Sequence, residues 1–235
     1  MDFENFAKIR KINLQNALSA FATLHSLTMP SLKLTYFDLK GRAEPIRIIL
    51  EVSGIAYEDE RIPAPWDDQE KWFNLKPSTP FGQLPILSVD GEVISQSIAI
   101  ARYCAHEFGL GGKNILENGK MDEIVEAVKD GTEKQIEAFL FEQDETRKTD
   151  LQEKFHEEVL PKLLQNLEKR LVSRGKKYFV GGKLSWADIF VFNFCSELPE
   201  KNVVDAYPNL ADLVNRLGNI PSIRAWIEVR PDTLF

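Results

Sequence analysis

A proline at the start of a predicted strand limits what this 235-residue chain can fold into. Residues 81–103, FGQLPILSVDGEVISQSIAIARY, predict a strand after Pro85, a tight turn at Asp90-Gly91, a second strand, and a helix that begins near Ser97. Because proline has no backbone N–H to donate, a sheet accepts it only at edges, strand starts and bulges. The segment therefore predicts an antiparallel hairpin whose first strand begins at an interruption.

The residues upstream of this hairpin predict two more strands and two helices. Residues 32–38 alternate in polarity as a strand does, and residues 41–54 have helical spacing with Pro45 in the first turn. Residues 56–63 predict a second strand, parallel to the first because the helix is a crossover, and residues 66–76 predict a short polar helix. The order is βαβαββα, an α/β domain with a small mixed sheet.

The second half of the chain predicts only helices. The strand signal ends at residues 108–114, where a glycine cluster predicts a linker between an α/β domain at 29–108 and an all-α domain at 113–235. The segments with helical periodicity are 121–141, 151–171, 184–195, 207–217 and 223–229. Within them, Ser185 and Asp188 predict a capping box at a buried helix start.

Composition excludes several classes of function. A net charge of −7 and a pI near 5.2 argue against nucleic acid as a partner. No apolar run approaches the roughly 20 residues that cross a bilayer, so no membrane association is expected. Cys104 and Cys195 lack the spacing of metal ligands and are expected to be buried free thiols of a cytoplasmic protein.

Residues 1–28 precede the first predicted strand and differ from the rest of the chain. They mix basic, apolar and hydroxyl residues, which is compatible with a weak transit peptide, but Asp2 and Glu4 count against it. We expect a poorly ordered extension before a domain that begins at Met29.

The order of elements and the strand-opening proline indicate the thioredoxin topology. A cis Leu84–Pro85 bond would turn the backbone N–H and C=O of Leu84 outward, where they can pair with an extended peptide ligand. Gln96 and Ser97 lie at a helix start, which binds carboxylates through its unpaired N–H groups. Ser97 is equally well explained as an ordinary N-cap.

Four motifs resemble the cytosolic glutathione S-transferases. They are LTYFDLKGRAEPIR at residues 34–47, FGQLPIL at 81–87, DGEVISQSIAIARY at 90–103 and SWADIFVF at 185–192. The resemblance covers the chain from Leu32 onward and is strongest for the sigma class, which includes haematopoietic-type prostaglandin D synthase. It implies a thioredoxin-like domain followed by a helical domain, in agreement with the periodicity.

The resemblance implies a catalytic role for Tyr36, whose hydroxyl matches the one that hydrogen-bonds the glutathione sulfur. Arg42 would assist electrostatically. Without the surrounding motif, Tyr36 would be interpreted as an aromatic residue that closes the core.

The resemblance also assigns the other contacts of glutathione. At the glycine end of glutathione, the matching positions are Trp72 and Lys76. At the cysteinyl unit they are Gln83, Leu84 and Pro85. The γ-glutamyl group would contact Gln96 and Ser97, and also Asp130 from the partner subunit of a homodimer. Alone, Asp130 would be an ordinary residue on a solvated helix face. The chain between Ile62 and Trp72 is longer than the family pattern, so Trp66 competes for the role of Trp72.

The walls of the electrophile site have three candidates, Phe37, Phe190 and Phe235. Each is equally compatible with core packing.

The implied activity is conjugation of the glutathione thiolate to hydrophobic electrophiles, together with reduction of organic peroxides. A disulfide oxidoreductase is excluded because DLKGRAE, at residues 38–44, holds no cysteine at the first helix. A crystallin-like or ligand-storage protein without activity remains an alternative.

Prostaglandin-H2 D-isomerisation is the second alternative. In the prostaglandin synthases of this class a tryptophan walls the lipid pocket, and an acidic cluster binds a divalent cation. This chain has Glu137 at the first position and Glu126, Lys129 and Asp130 at the cluster. Because a lysine opposes a cation, we expect no metal site and weak prostaglandin D synthesis.

Overall fold

The computed structural model describes residues 29–233. The expected N-terminal extension and the candidate electrophile contact Phe235 lie outside the described residues. Among residues 29–233, no helix combines the length and apolar character needed to cross a membrane.

The first half contains a four-stranded sheet with helices, in the predicted βαβαββα order. The elements are β1 (Leu32–Phe37), α1 (Glu44–Ser53), β2 (Glu58–Ile62), α2 (Gln69–Leu75), β3 (Ile86–Val89), β4 (Glu92–Ser95) and α3 (Ser97–Glu107). The strand order is β2-β1-β3-β4. β1 pairs parallel to β2 and antiparallel to β3, which pairs antiparallel to β4. The predicted fold class, the parallel pairing and the hairpin are confirmed.

The hairpin turn follows from its two residues. Asp90 and Gly91 have φ of 51° and 92°, which the tight two-residue turn requires and which these residue types adopt readily. The Asp90 carboxylate also accepts a hydrogen bond from the Ser31 N–H at 2.8 Å, which ties the turn to the start of β1.

The described part of the second half is helical, but two predicted boundaries are wrong. Its helices are α4 (Ile115–Ile136), α5 (Glu145–Lys154), α6 (Leu160–Ser173), α7 (Trp186–Ser196), α8 (Pro208–Gly218) and α9 (Pro221–Val229). α4 begins earlier than residue 121 because Asn114 caps it by accepting from the Glu117 N–H. α5 begins before residue 151 because Asp144 caps it by accepting from the Arg147 N–H. The π-helical turns Glu137–Phe141 and Phe155–Val159 follow α4 and α5.

The predicted capping box anchors α7 in the core. The Asp188 carboxylate accepts from the Ser185 N–H at 2.9 Å, the Ser185 hydroxyl at 2.6 Å and the Phe179 N–H at 2.9 Å. Ser185 and Asp188 are fully buried. Burial raises the pKa of Asp188 to about 6, although the hydrogen bonds act in the opposite direction. α7 packs against α4, α8 and α1, so this cap fixes the helix that joins the two halves.

A buried carboxylate also joins the two halves. Glu44, fully buried at the start of α1, accepts from Trp226 Nε1 at 2.7 Å and from Arg230 at 2.8 Å, and it pairs with Arg47. Arg230 reaches Glu197 as well, at 2.8 Å. Burial acts to raise the pKa of Glu44, but the hydrogen bonds from Arg230 and Trp226 and the charge of Arg47 outweigh it and lower the pKa. The first helix is thereby bound to the end of the described chain.

Both cysteines are buried free thiols, as predicted. Burial raises the pKa of Cys104 and of Cys195 to about 12. Neither thiol is therefore a nucleophile at neutral pH.

Candidate functional site

A cleft of about 940 Å³ lies between the two halves. The end of β1, the loop after it, the loop before β3 and the start of α3 form one side. α4, the π-helical turn after it and the end of α7 form the other side. The volume is that of a small-molecule site with room for two ligands of modest size.

Tyr36 lies at the end of β1, on the wall of this cleft. The residue is 7% exposed, and its hydroxyl oxygen accepts a hydrogen bond from the Arg42 N–H at 3.3 Å. A Cβ at Gly41, whose φ is +41°, would lie 2.7 Å from that hydroxyl oxygen. Only glycine lets the loop approach so closely, because other residues rarely adopt this φ. The hydroxyl is therefore held as an acceptor from the loop, with its own proton left to donate into the cleft.

The environment of Tyr36 keeps this proton in place. Burial raises the pKa of Tyr36, and the Arg42 N–H and the charges of Arg42 and Arg47 only partly oppose the effect. The hydroxyl is therefore neutral at physiological pH and has a proton to donate. A donor that already accepts a hydrogen bond is polarised and binds an anion more strongly.

Most of the predicted glutathione contacts line this one cleft. Those that do are Tyr36, Arg42, Trp72, Gln83, Leu84, Pro85, Gln96 and Ser97. The Leu84–Pro85 bond is cis, as predicted. The ladder between β3 and β1 ends where Ile86 pairs with Thr35, so the backbone of Leu84 lies beyond the paired residues.

The start of α3 presents unpaired N–H groups at the cleft. The N-cap is Gln96, without a side-chain cap, and Ser97 is the first helical residue. The interpretation of Ser97 as an ordinary N-cap is therefore wrong. Gln96 has the unusual backbone angles φ 73° and ψ 115°, and its amide donates to Gln83 Oε1 at 3.2 Å. Backbone strain of this kind is concentrated at functional sites, and the uncapped helix start favours a bound anion.

The residues predicted for the glycine end of glutathione are Trp72, its competitor Trp66, and Lys76. Trp66 and Trp72 both line it. Trp66 is 59% exposed, whereas Trp72 is 9% exposed and packs edge-on against Phe37 with ring centroids 5.3 Å apart. Lys76 does not line the cleft; its Nζ lies 6.0 Å from the centre of the Trp72 ring.

Three other residues singled out in the sequence, Asp130, Phe190 and Glu137, do not line the main cleft. Asp130 is exposed on α4 and does not line the cleft of its own chain. Phe190 is 7% exposed and lines a smaller adjoining cavity of about 70 Å³, which shares Arg42 and Ser97 with the main cleft, whereas Phe37 lines the main cleft. Glu137 lies outside the cleft lining and pairs with Lys134 at 2.8 Å.

Sequence analysis missed several residues of the second half that line the cleft. An apolar wall from α4 and the π-helical turn comprises Ile136, Phe139, Leu140 and Phe141. The run FLF at residues 139–141 was a visible signal for it. Asn193 also lines the cleft, and its signal was a single polar residue within the apolar run IFVFNFC at residues 189–195.

Four of the charged residues that line the cleft form ion pairs. Lys40 pairs with Glu197 at 2.7 Å, and Lys129 pairs with Glu126 at 3.4 Å. Over the described range 29–233, no group of three or more His, Cys, Asp or Glu side chains could hold a metal ion.

Comparison with known proteins identifies both halves of the chain. The glutathione S-transferase N-terminal domain matches residues 32–106, and the glutathione S-transferase C-terminal domain matches residues 130–230. The chain is 41% identical over 212 residues to hematopoietic prostaglandin D synthase of Gallus gallus, covering 87% of this chain and 99% of that protein. It is 36% identical over 216 residues to glutathione S-transferase 1 of Ascaris suum, covering 88% of this chain and 100% of that protein.

A solved structure shows the same fold. A monomeric glutathione S-transferase from the hookworm Necator americanus superposes with a TM-score of 0.77 at 33% sequence identity, covering 87% of this chain and 100% of that one. With both domains matched and relatives aligned along their full length, this chain belongs to the glutathione S-transferase family.

Proposed function

We propose that this enzyme, of the sigma class, conjugates glutathione to hydrophobic electrophiles and uses Tyr36 to hold the thiolate. The observation that carries the proposal is the buried Tyr36 hydroxyl, which accepts from the Arg42 N–H at 3.3 Å and keeps its proton for the cleft. The same thiolate reduces organic peroxides by attack on the peroxide oxygen, which forms a sulfenic acid on glutathione and releases an alcohol. A second glutathione then displaces water from this sulfenic acid and forms the disulfide. The reaction takes place in the cytoplasm and removes harmful electrophiles.

The main task of the site is to ionise the thiol. A free thiol has a pKa of about 8.5, and lowering it to about 6.5 needs roughly 2.7 kcal/mol of preferential stabilisation of the thiolate. A short hydrogen bond from a neutral phenol to sulfur and the nearby Arg42 charge act in that direction. The thiol proton leaves to solvent, and orientation of the two substrates supplies much of the remaining rate.

The open start of α3 supports a position for the rest of glutathione. The γ-glutamyl carboxylate lies at Gln96 and Ser97, where the helix N–H groups are uncapped. The cysteinyl backbone pairs with Leu84, and the glycine carboxylate lies toward Trp72 and Lys76. In this arrangement Trp66 extends the wall beyond the glycine end.

Binding and turnover together test the proposal. The purified protein is expected to be retained on immobilised glutathione, to be released by free glutathione, and to conjugate chlorodinitrobenzene. A protein that binds glutathione but conjugates no electrophile would instead support a storage or crystallin-like role.

We also propose a two-fold homodimer in which Asp130 contacts the glutathione of the partner subunit. Asp130 is exposed and outside its own cleft, which is compatible with a role across an interface. Asp130→Asn is expected to raise the KM for glutathione about 3–10-fold with little change in kcat, because one charged contact to the amine is lost. Steady-state kinetics measure the change in KM and kcat. Glu123→Gln is the control, because Glu123 is a carboxylate on the same helix and pairs with Arg170. Sedimentation that shows a stable, active monomer would remove Asp130 from the site.

Prostaglandin D synthesis is the second candidate function, favoured by the 41% identity to the Gallus gallus synthase. Against it stand Glu137, which lies outside the cleft lining, and Lys129, which opposes a cation at Glu126. We expect conversion of the prostaglandin endoperoxide to be weak and to be unchanged by magnesium or by chelator. Strong, magnesium-stimulated formation of prostaglandin D in a product assay would contradict this expectation.

A further inference from the structure

The hydrogen bond between the Arg42 N–H and the Tyr36 hydroxyl depends on the position of one loop, residues 38–43. Its length of 3.3 Å is at the long end for an N–H donor, so a small displacement of the loop would break it. The approach at Gly41 is tight as well, because a Cβ there would lie 2.7 Å from the Tyr36 hydroxyl oxygen. The polarisation of Tyr36 is therefore sensitive to whatever fixes this loop.

The first half of the chain fixes the loop through its backbone carbonyls. The guanidinium of Arg47, which is fully buried in α1, donates to the Leu39 C=O at 2.8 Å and to the Lys40 C=O at 3.3 Å. The Glu44 N–H donates to the same Lys40 C=O at 3.0 Å. These contacts hold the two residues that precede Gly41.

The second half fixes the loop through Lys40. Glu197, the residue after α7, accepts from Lys40 Nζ at 2.7 Å with one carboxylate oxygen and from Arg230 at 2.8 Å with the other. The Lys40 N–H donates to the Thr233 hydroxyl oxygen at 3.1 Å. The side chains of Lys40 and Glu197 are only 14% and 27% exposed, so water screens this pair less than an ion pair on the open surface. Glu197 thus joins the loop to a cation that is itself bound to the buried Glu44.

The location of this pair indicates a role beyond joining the two halves. Glu44 already joins them through Trp226 and Arg230, and these three residues lie outside the cleft lining. Lys40 and Glu197, in contrast, both line the cleft beside Tyr36. The pair therefore acts where the loop meets the reacting site.

We propose that Glu197 is a positioning residue: by holding Lys40, it keeps the Arg42 N–H on the Tyr36 hydroxyl and so strengthens the hydrogen bond that this hydroxyl donates to the thiolate. The inference rests on the proposed function of Tyr36 and extends it to a residue of the second half. Glu197 transfers no proton and acts through the loop. Its effect on the sulfur follows because a hydroxyl that accepts a hydrogen bond becomes a stronger donor.

A purely electrostatic role of Glu197 predicts the opposite result. A carboxylate at the wall of the cleft disfavours a nearby anion, and it also neutralises the charge of Lys40. If charge were the whole effect, removal of Glu197 would lower the pKa of bound glutathione. If Glu197 positions the loop, its removal raises this pKa, because the donor from Tyr36 weakens.

Glu197→Ala is expected to raise the pKa of the bound thiol by about 0.5–1 and to lower kcat/KM for chlorodinitrobenzene about 2–5-fold at pH 6.5. The deficit should disappear near pH 9, where the thiol is ionised in both proteins. The pH dependence of kcat/KM and titration of the bound thiolate give the two pKa values. Glu197→Gln, which has one acceptor oxygen for two cations, should give a smaller shift in the same direction and serves as the test if alanine disturbs the fold.

Glu60→Ala is the matched control. Glu60 also accepts from a lysine and from a second donor, Lys33 at 2.9 Å and the Thr35 hydroxyl at 2.8 Å, but it lies outside the cleft lining. Its loss is expected to leave the pH profile unchanged. An equal shift of the thiol pKa in Glu60→Ala would show that the effect of Glu197→Ala is general damage and would overturn the inference.

A double variant tests whether Glu197 acts through Tyr36. In the Tyr36→Phe background, Glu197→Ala is expected to shift the thiol pKa no further, because the hydroxyl that it positions is gone. An unchanged or lower pKa in Glu197→Ala, or the same further shift in the double variant, would overturn the inference. If Tyr36→Phe raises the thiol pKa and Glu197→Ala does not, the proposed function stands without it. If neither variant raises it, both are wrong.

Discussion

Replacing Tyr36 with phenylalanine is expected to lower kcat/KM for conjugation at pH 6.5 about 50-fold while glutathione binding stays nearly unchanged. In the proposed mechanism, the hydroxyl that accepts from the Arg42 N–H also donates to the glutathione sulfur, so its loss should return the bound thiol toward its free pKa. A shift from about 6.5 to about 8.5 is worth roughly 2.7 kcal/mol, or a factor of about 100 in thiolate concentration at low pH. The pKa of the bound thiol in the wild type and in the variant is measured from the pH dependence of kcat/KM and by titration of the bound thiolate.

The sign of the pH effect is specific to this mechanism. Because burial raises the pKa of Tyr36, the tyrosine stays protonated throughout the assay range, and the pH profile reports the thiol. The deficit of Tyr36→Phe should therefore shrink as pH rises toward 9, where free thiol ionises unaided. Tyr57→Phe is the control, since that hydroxyl bonds Glu51 at 3.3 Å and lies outside the cleft lining. Unchanged turnover in Tyr36→Phe would remove this residue from the chemistry.

Replacing Asp188 with alanine is expected to cause the largest loss of stability. The carboxylate accepts from two backbone N–H groups and the Ser185 hydroxyl, and these buried donors would be left unpaired. Each unpaired donor costs about 1–3 kcal/mol, so the free energy of unfolding should fall by roughly 3–5 kcal/mol. The expected decrease in Tm is about 10 °C, as measured by circular dichroism.

Asp144→Ala is the matched control for Asp188→Ala. Asp144 also caps a helix, α5, by accepting from the Arg147 N–H at 2.9 Å, but it is exposed. Water replaces the lost bond there, so the cost should be about 1 kcal/mol. Similar losses of unfolding free energy in the two variants would mean that burial does not strengthen the capping box of Ser185 and Asp188.

The buried Asp188 also gives the wild type a pH dependence. The pKa in the folded state, about 6, lies above its ordinary value of 3.8, so the folded state binds the proton more tightly. The stability that comes from protonation of Asp188 in the folded state is fully present below pH 3.8 and is lost as the pH rises through 6. This component of the stability profile should be absent from Asp188→Ala.

Local patterns were sufficient to predict the architecture. Alternation in β1, the Asp90-Gly91 turn and the helical spacing of the second half each depend on residues close in sequence. The strand-opening proline and the helix start indicated Leu84 and Gln96 from the sequence, whereas the role of Tyr36 came from the resemblance to a family; all three line one cleft.

What the sequence could not show arises from contacts between distant elements. The unusual φ of Gln96 depends on where β4 delivers the chain to α3, and no residue preference indicates it. Asn193 Oδ1 is buried without a hydrogen-bond partner among the described residues, which only the packed helices reveal. The early start of α4 is different, because the Asn114 cap was visible in the sequence and was assigned to the linker.

The burial of Glu44 has a consequence for how the chain unfolds. Its carboxylate depends on Trp226 and Arg230, which lie at the far end of the described chain. If the helical half came apart first, the Glu44 carboxylate would lose its hydrogen bonds to Trp226 and Arg230 and would keep its pairing with Arg47. Because this carboxylate couples the two halves, we expect the chain to melt in one cooperative transition despite its two-domain pattern.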